Sequence, residues 1–264
     1  MLLPKKFNFL RPIKISKLIR LGNNHDGGYL LPINSLKKSE NLISFGLGDN
    51  FSFEMDFLKY KRNGLIYVFD HTVSIFTFIR QVYIYFKRIF YFKSNLKILY
   101  QKLINLKNYF FFFNQFNVRH FQKRIVLKKR NNSQSDLKNI FKKIVSNENI
   151  LSIDIEGFEY QIIDDLTKFS NKINLVIIEF HNLDNNFFVF KKKILILKRF
   201  FNIVHLHGNN YSKCLDSGLP AVLEITFLNK EKFKPRKKLF LKKFPTKLDF
   251  PNQPFKKDYI FRFY

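Results

Sequence analysis

Short runs of Ile, Val, Leu and Phe recur along the chain, and helical patterns separate them. Runs that are apolar at every position, such as Leu175-Val-Ile-Ile178, are typical of parallel strands, because helices cover both faces of a parallel sheet. This rhythm predicts an α/β domain with a seven-stranded, mostly parallel sheet and helices on both faces. We expect its strands at Asn41–Phe45, Leu65–Phe69, Arg124–Leu127, Ile150–Asp154, Leu175–Phe180, Ile203–His207 and Val222–Leu228.

The segments between these runs carry helical patterns at Ser52–Arg62, Ser135–Ser146, Glu159–Phe169 and Asn185–Phe200. Ser135 is expected to cap its helix, because a serine oxygen accepts one of the free N–H groups there. No helical pattern follows the final strand, which we expect to pair antiparallel at an edge of the sheet.

Two segments are longer than this pattern requires. Residues 72–121 mix aromatic side chains with Lys and Arg and predict a helical insertion in a single domain spanning 1–264; the basic residues are Arg80, Lys87, Arg88, Lys93, Lys97 and Lys102. Residues 230–264 predict an extended tail that wraps the domain, since they contain Pro235, Pro245, Pro251 and Pro254.

The net charge is +27, from 47 Lys+Arg and 20 Asp+Glu. Such a charge is typical of proteins that bind nucleic acid or anionic membranes. The basic residues are mostly Lys and are spread along the chain, and no RNA-recognition, KH or zinc-finger motif is present. A nucleic-acid-binding module therefore stays the alternative interpretation. Residues 72–121 suit the headgroup region of an anionic membrane, since aromatic and basic residues alternate there, although an ordinary solvated helix fits the same pattern.

The sequence has one cysteine, Cys214, and no Cys/His cluster with the spacing of a zinc site. We expect a reducing, cytoplasmic setting, with weak peripheral association at the inner face of a membrane.

The segment Ser44-Phe-Gly-Leu-Gly-Asp49 takes a predicted strand into a turn and then a helix. Gly46 and Gly48 allow the backbone to approach a ligand at the helix N-terminus, although a tight structural turn fits the same pattern. Asp70 ends the next strand, where α/β folds bind the hydroxyls of an adenosine ribose. A cap of the following turn is the alternative role for Asp70.

Acidic and histidine side chains cluster at the ends of later strands. Asp154, Glu156 and Glu159 surround a glycine, and their mutual repulsion favours a cation, a donor or a ligand among them. Glu179 and His181 end the next strand, and His205 and His207 lie on the one after it. With Asp154 they could form a hard-metal site or a base with its orienting partner; each histidine could equally be a packed core residue.

Near the N-terminus, Arg20–Tyr29 is a polar loop with paired glycines. Its composition fits a simple hairpin turn or a loop that faces a ligand.

These elements, in this order, resemble the FkbM-like family of class I S-adenosylmethionine-dependent methyltransferases. The resemblance covers Leu21 to Leu228, and its I-D-I-E-G-x-E element is its most specific part. The matching segments are Asp26–Tyr29, Ser44–Asp49 with Ser52–Glu54, Val68–Asp70, Ile153–Glu159, Ile177–His181, His207–Asn210 and Pro220–Phe227.

The resemblance implies a Rossmann-like fold that binds S-adenosylmethionine and methylates a hydroxyl, often on a glycan or another small-molecule acceptor. It places the cofactor against Gly46, Gly48, Asp49, Glu54 and Asp70, with the two glycines beside the methionine part and Asp70 on the ribose.

A sugar hydroxyl is a poor nucleophile, so its proton needs a base or a metal. Asp154 is the first candidate for this role, His181 is the second, and Glu179 is expected to orient them. If a divalent metal takes part, the same three residues are its expected ligands.

Overall fold

The computed structural model describes residues 2–91, 95–234 and 239–263. Lys93 of the predicted insertion and Pro235 of the predicted tail lie outside these ranges.

The strands and helices are given in chain order. The strands are β1 Leu18–Leu21, β2 Tyr29–Pro32, β3 Asn41–Phe45, β4 Leu65–Phe69, β5 Val118–Phe121, β6 Arg124–Ile125, β7 Gln134–Ser135, β8 Asn149–Ile153, β9 Ile173–Phe180, β10 Phe201–Gly208, β11 Leu223–Asn229, β12 Lys243–Phe244 and β13 Phe261–Arg262. The α-helices are α1 Ile33–Lys38, α2 Ser52–Tyr60, α3 Ile75–Phe90, α4 Leu96–Phe113, α5 Leu137–Lys143, α6 Glu159–Thr167 and α7 Leu183–Phe200. Short 3₁₀ helices span Lys5–Leu10 and Ser170–Lys172.

The main sheet in the described ranges has seven strands in the order β10-β11-β9-β8-β3-β4-β5. The pairs from β9 to β5 are parallel, whereas β11 runs antiparallel to both β9 and β10. Apolar side chains pack against both faces of the sheet, with Ile43 and Phe45 of β3 on one side and Leu42 on the other. The predicted mostly parallel sheet is therefore confirmed.

The prediction that Arg124–Leu127 forms a strand of this sheet is wrong. Its place beside β4 is taken by β5, which pairs with residues 66–69, and the ring of Phe121 stacks on Phe69 with centroids 4.8 Å apart. Arg124 and Ile125 instead pair with Gln134 and Ser135 in a separate two-stranded sheet. The sequence of β5, Val-Arg-His-Phe, is too polar to resemble a buried strand because β5 lies at an edge.

The last of the predicted strands, observed as β11, is antiparallel as expected, but it does not lie at an edge. It is inserted between β9 and β10, and all of its residues are buried. The edge strand is β10, whose Ile203 carbonyl accepts a hydrogen bond from Ile13 N–H. The N-terminal segment therefore covers part of an edge that we expected β11 to form.

The helix predicted at Ser135–Ser146 begins later than expected. Its cap is Asp136, whose Oδ1 accepts from Asn139 N–H at 2.8 Å, and Ser135 belongs to β7 instead. A carboxylate is the stronger acceptor at a helix N-terminus, because its charge also interacts with the helix dipole.

The connection from β4 to β5 contains α3 and α4, which pack against each other as a helical hairpin. The base of this hairpin lies in the core, since Phe78 and Phe112 are both buried. Phe112 stacks on Phe51 with ring centroids 5.3 Å apart and an interplanar angle of 7°. None of the helices in the described ranges combines the length and apolar character needed to cross a membrane.

The C-terminal segment 239–263 packs along β10. His205 Nε2 lies 3.0 Å from Asp249 Oδ1, and His207 Nε2 lies 3.0 Å from Asp258 Oδ2. Both histidines are buried. The segment is thus attached to the sheet edge by two buried contacts between histidine and aspartate side chains.

Candidate active site

A cavity of about 550 Å³ opens at the carboxyl ends of the central strands. In an open parallel sheet this edge is where ligands bind, because loops diverge there and helix N-termini face it. The lining residues come from the carboxyl end of β9, from the segments that follow β3, β4, β5 and β8, and from the β1–β2 hairpin; they include Asp26, Gly48, Asp70, Arg124, Asp154 and Glu179.

The loop after β3 forms one wall of the cavity. Gly46 has φ +74°, and a Cβ there would lie 1.6 Å from the Asp154 carbonyl oxygen, so only glycine fits between the two loops. Gly48 has φ +60°, but a Cβ there would meet no described atom within 4 Å. The glycines therefore differ: Gly46 is required by packing, whereas Gly48 borders open space that a ligand lying against the loop could fill.

Asp70 lies on the cavity wall as predicted, and its carboxylate binds the protein backbone. Oδ2 accepts from the N–H groups of Leu47 and Gly48 at 2.7 and 3.2 Å. Oδ1 accepts from Thr72 N–H and Oγ1, both at 2.7 Å, and from Val73 N–H at 3.3 Å. Burial opposes the charge on Asp70, but these donors lower its pKa. Asp70 thus holds the glycine loop and caps the next turn, and its binding to a ribose stays a prediction.

The two other acids predicted to bind the cofactor also line the cavity. Asp49 lies at the rim, with Lys102 Nζ of α4 3.5 Å from its Oδ2. Glu54 is buried in α2 and accepts from Ser44 Oγ at 2.6 Å. Burial raises the pKa of Glu54 to about 7, an effect that the Ser44 hydroxyl partly offsets.

His181 is the centre of the acidic cluster. Its Nδ1 lies 3.0 Å from Oε1 of Glu159, and its Nε2 lies 3.6 to 3.9 Å from carboxylate oxygens of Asp154, Glu156 and Glu179. The same Glu159 oxygen accepts from two N–H groups of the loop after β8. Glu159 therefore fixes the imidazole and that loop together.

Backbone strain is concentrated at this cluster. Glu156, whose carboxylate lies 3.6 Å from the His181 ring, has φ +54°, and Asn182, which directly follows His181 in the chain, has φ +55°. A Cβ on Gly157, which has φ +99°, would lie 3.2 Å from Asn182 Nδ2. Left-handed backbone at residues other than glycine is uncommon and gathers at functional sites.

Two carboxylates of the cluster, those of Asp154 and Glu179, have raised pKa values. Burial raises the pKa of Asp154 to about 7, with His181 acting against the shift. Burial and the neighbouring Asp154 raise the pKa of Glu179 well above its ordinary value. For His181, burial opposes the charge, but the hydrogen bond to Glu159 and the nearby carboxylates raise the pKa. At neutral pH an imidazolium can therefore face an Asp154 that is partly ionised.

Asp154 and Glu179 line the cavity, whereas His181 is absent from the described lining residues. Oδ1 of Asp154 is enclosed and has no hydrogen-bond partner among the described residues. Asn209 Nδ2 donates to Glu179 Oε1 at 2.9 Å. A reactant in the cavity can thus reach Asp154, while His181 acts from behind it.

His205 and His207 do not join this cluster, although their strand made them candidates. They face the C-terminal segment through Asp249 and Asp258, because β10 lies at the sheet edge and not beside β9.

Sequence reasoning missed two basic residues of the cavity wall, Lys123 and Arg124. They follow β5, and the misplaced strand hid them. The sequence did contain a signal for them: between Asp70 and Asp136 it has no acidic residue, so every charged side chain that this segment contributes to the cavity is basic. The sequence allowed two interpretations of Arg20–Tyr29, a hairpin turn or a loop that faces a ligand. In the structure β1 and β2 form a hairpin, and Asp26 and Gly27 in its loop line the cavity.

Asp154, Glu156 and His181 could hold a metal ion, because one ligand atom from each lies within 4.8 Å of the others. This set contains Glu156 in place of the predicted Glu179. Carboxylate and imidazole ligands suit a divalent cation such as Mn²⁺ or Zn²⁺.

The model of the methyltransferase FkbM domain matches residues 23–211. The chain belongs to the FkbM methyltransferase family. Its fold is accordingly the Rossmann-like class I methyltransferase fold, and family membership implies S-adenosylmethionine as the methyl donor. The glycine loop, Asp70 and the cluster around His181 all lie within the matched residues. The open space beside Gly48 and the polar cavity wall fit such a ligand.

Solved structures similar to this FkbM methyltransferase include several methyltransferases. Fibrillarin from Methanococcus jannaschii, a pre-rRNA processing protein, is 11% identical over 74% of this chain and 68% of its own, with a TM-score of 0.39. A precorrin-6y C5,15-methyltransferase from Geobacter metallireducens is 12% identical over 75% and 87%, with a TM-score of 0.38. A putative caffeoyl-CoA O-methyltransferase from Staphylococcus aureus is 13% identical over 75% and 79%, with a TM-score of 0.36. No curated protein matches the sequence.

Proposed function

We propose that this FkbM methyltransferase methylates a hydroxyl oxygen of a phosphate-linked sugar, such as a lipid-linked glycan. The observation that carries the proposal is Asp154, a carboxylate on the cavity wall whose pKa is raised to about 7. A base is most effective when its pKa lies near the working pH, so Asp154 is suited to take a hydroxyl proton.

The chain's own residues supply the proton transfer and the positioning. When bound, S-adenosylmethionine would supply the methyl group carried by its sulfonium sulfur, and that sulfur would become a neutral thioether. The acceptor oxygen forms the new bond to the methyl carbon, and its proton passes to Asp154. In-line displacement requires the acceptor to lie opposite the sulfur, so holding both partners in one cavity is a large part of the catalysis.

His181 and Glu179 have supporting roles in this proposal. The imidazolium of His181 lies 3.7 Å from Asp154 and stabilises its ionised form until the proton arrives. Glu179, held by Asn209, borders the same wall and orients the acceptor through a hydrogen bond. The proposed cofactor wall consists of Gly46, Gly48, Asp49, Glu54 and Asp70.

Lys123 and Arg124 favour a negatively charged acceptor. Both lie on the cavity wall, and the guanidinium and ammonium groups are the usual partners of phosphate oxygens. A sugar attached to phosphate would present a hydroxyl to Asp154 and its anion to these cations.

A divalent cation at Asp154, Glu156 and His181 is a second way to activate the hydroxyl, by acting as a Lewis acid. This metal would compete with the proton of His181, because a histidine ligand must be neutral. Metal binding would therefore strengthen as the pH rises through the pKa of His181.

Calorimetry and turnover test the proposal together. S-adenosylmethionine is titrated into the parent, Asp70→Ala, Asp154→Asn and the surface control Asp165→Asn, and transfer of labelled methyl to phosphate-linked hexoses is followed. We expect Asp154→Asn to bind the cofactor within about twofold of the parent but to lose roughly 10²- to 10⁴-fold in kcat. Asp70→Ala is expected to lose cofactor affinity.

Three outcomes would contradict parts of the proposal. Equal affinity in Asp70→Ala removes Asp70 from the cofactor site. Unchanged turnover in Asp154→Asn removes the base. If a chelator abolishes turnover and Mn²⁺ restores it, the metal route replaces proton transfer to Asp154 alone.

A further inference from the structure

We infer that the helical hairpin, α3 with α4, binds the surface of an anionic lipid bilayer. The inference does not depend on the methyl-transfer chemistry, because it rests on residues outside the cavity.

The hairpin exposes a stripe of large apolar side chains. On α3, Ile79, Tyr83, Phe86 and Phe90 follow one another at spacings of three and four residues and are 46%, 55%, 62% and 77% exposed. Residues at these spacings lie on one face of a helix. On a helix that faces only water, charged and polar residues would normally occupy these four exposed positions. An exposed apolar face of this kind is typical of a surface that binds a partner or a membrane.

The stripe continues into an open groove between the two helices. The groove has a volume of about 330 Å³, and apolar or aromatic side chains line it, including Phe86 and Leu103. Phe111 and Phe116 are also more than half exposed near the hairpin's base. The apolar surface thus spans both helices instead of being a single exposed ring.

Cations flank this surface, and neither helix of the hairpin carries an acidic residue. The sequence has no Asp or Glu between Asp70 and Asp136. Lys87 Nζ lies 4.5 Å from the Tyr83 ring centroid, and Arg88 and Lys102 lie 5.2 and 5.7 Å from that of Tyr85. Aromatic rings with basic groups beside them suit the headgroup level of a bilayer, where the ring enters the interface and the cation meets lipid phosphate.

Charge and composition favour a bilayer over the other occupants. A second copy would bring another hairpin without acids against this one, and each chain carries +27, so the two would repel. RNA would satisfy the cations but would leave the aliphatic groove uncovered. An anionic bilayer satisfies both, since its phosphates attract Lys and Arg and its acyl boundary takes Phe and Leu.

The hairpin also borders the cavity. Lys102 of α4 is paired with Asp49, which lies at the cavity rim. A bilayer held by the hairpin would therefore lie near the entrance through which an acceptor reaches Asp154.

Vesicle flotation of the full chain tests the inference. The vesicles contain either phosphatidylcholine alone or phosphatidylcholine and phosphatidylglycerol in equal parts. Two variants change the hairpin: Phe86→Ser with Phe90→Ser, and Lys87→Glu with Arg88→Glu. The matched control, Phe188→Ser with Lys192→Glu, changes an exposed Phe and Lys on α7.

We expect the parent and the control to float with anionic vesicles and to remain behind with neutral ones. Each hairpin variant should lose about tenfold or more in partitioning, because single basic residues near an anionic surface and buried aromatic rings each contribute substantially. Affinity for S-adenosylmethionine should not change in any of them, which shows that the fold is intact and keeps this result separate from the proposed function.

The inference is overturned if the parent fails to float with anionic vesicles, or if the hairpin variants float as the parent does. It is also overturned if single-stranded RNA binds the parent through the same four residues while vesicles do not.

Discussion

Nδ1 of His181 lies 3.0 Å from Oε1 of Glu159, a carboxylate with no exposed surface. That oxygen also accepts from Ile155 and Gly157 N–H. The loop carrying Asp154 and the strand end carrying His181 are thus joined at one atom. The protonation of His181, and through it that of Asp154, depends on a residue that does not line the cavity.

Glu159→Gln should lower the pKa of His181, because the amide keeps the shape of the side chain but removes its charge. Titration of the imidazole Cε1 proton by NMR measures this. Glu156→Gln is the control, since Glu156 is largely exposed and 3.6 Å away; it should lower the pKa less. An equal shift in both variants would show that the buried contact has no special role.

Turnover should rise with pH through about 7, the raised pKa of Asp154. A base acts in its ionised form, so below this pH kcat/KM should fall by about tenfold per unit. The pH–rate profile of the parent measures this, and Asp154→Asn should lose that limb. In Glu159→Gln the limb should move to higher pH, because a less protonated His181 favours the ionised Asp154 less. A profile that is flat between pH 5 and 8 in the parent would contradict the assignment.

Gly46→Ala and Gly48→Ala should separate packing from ligand binding. The first places a methyl against the Asp154 carbonyl and should destabilise the fold by at least about 3 kcal/mol. The second meets open space, so only its left-handed backbone costs about 1–2 kcal/mol, but its methyl should weaken binding of S-adenosylmethionine. Urea unfolding and calorimetry measure the two effects. Parental cofactor affinity in Gly48→Ala would exclude that side of the loop from the site.

Stability should fall as pH rises from about 7 to 10, because of His207. Burial opposes its charge, but Asp258 and Glu224 raise its pKa from 6.5 to about 10. The native state then holds the proton more tightly than the unfolded chain, so the stabilisation is complete below pH 6.5 and is lost as pH rises through about 10.

The melting temperature across this range measures that loss. Asp258→Asn should melt lower at pH 7 and show a shallower pH dependence, whereas Asp216→Asn, an exposed acid, should follow the parent. Identical curves for Asp258→Asn and the parent would show that the ion pair contributes nothing.

Much of the sheet could be predicted because its buried strands are apolar at every position, as β3 and β9 are. β5 could not, since its edge position allows Arg119 and His120 within four residues. The position of β11 between β9 and β10 is also invisible locally, because strand order depends on pairing between distant segments.

For the candidate site too, features set by the local sequence could be predicted and contacts between distant segments could not. The positions of Gly48, Asp70, Asp154 and Glu179 could be predicted because each lies within three residues of the carboxyl end of a strand. The partners of His205 and His207 could not, since Asp249 and Asp258 are 44 and 51 residues away in the chain. Lys123 and Arg124 resembled ordinary surface charge in a chain that is rich in lysine.

The stack of Phe112 on Phe51 has a geometric consequence. Phe51 directly precedes α2 and follows the glycine loop, so the base of the helical hairpin and the cavity wall are parts of one packed body. No linker in the described residues separates them. The cavity entrance is therefore held at one height and one tilt above any surface that the hairpin meets, and in the proposed reaction the acceptor has to present its hydroxyl at that height.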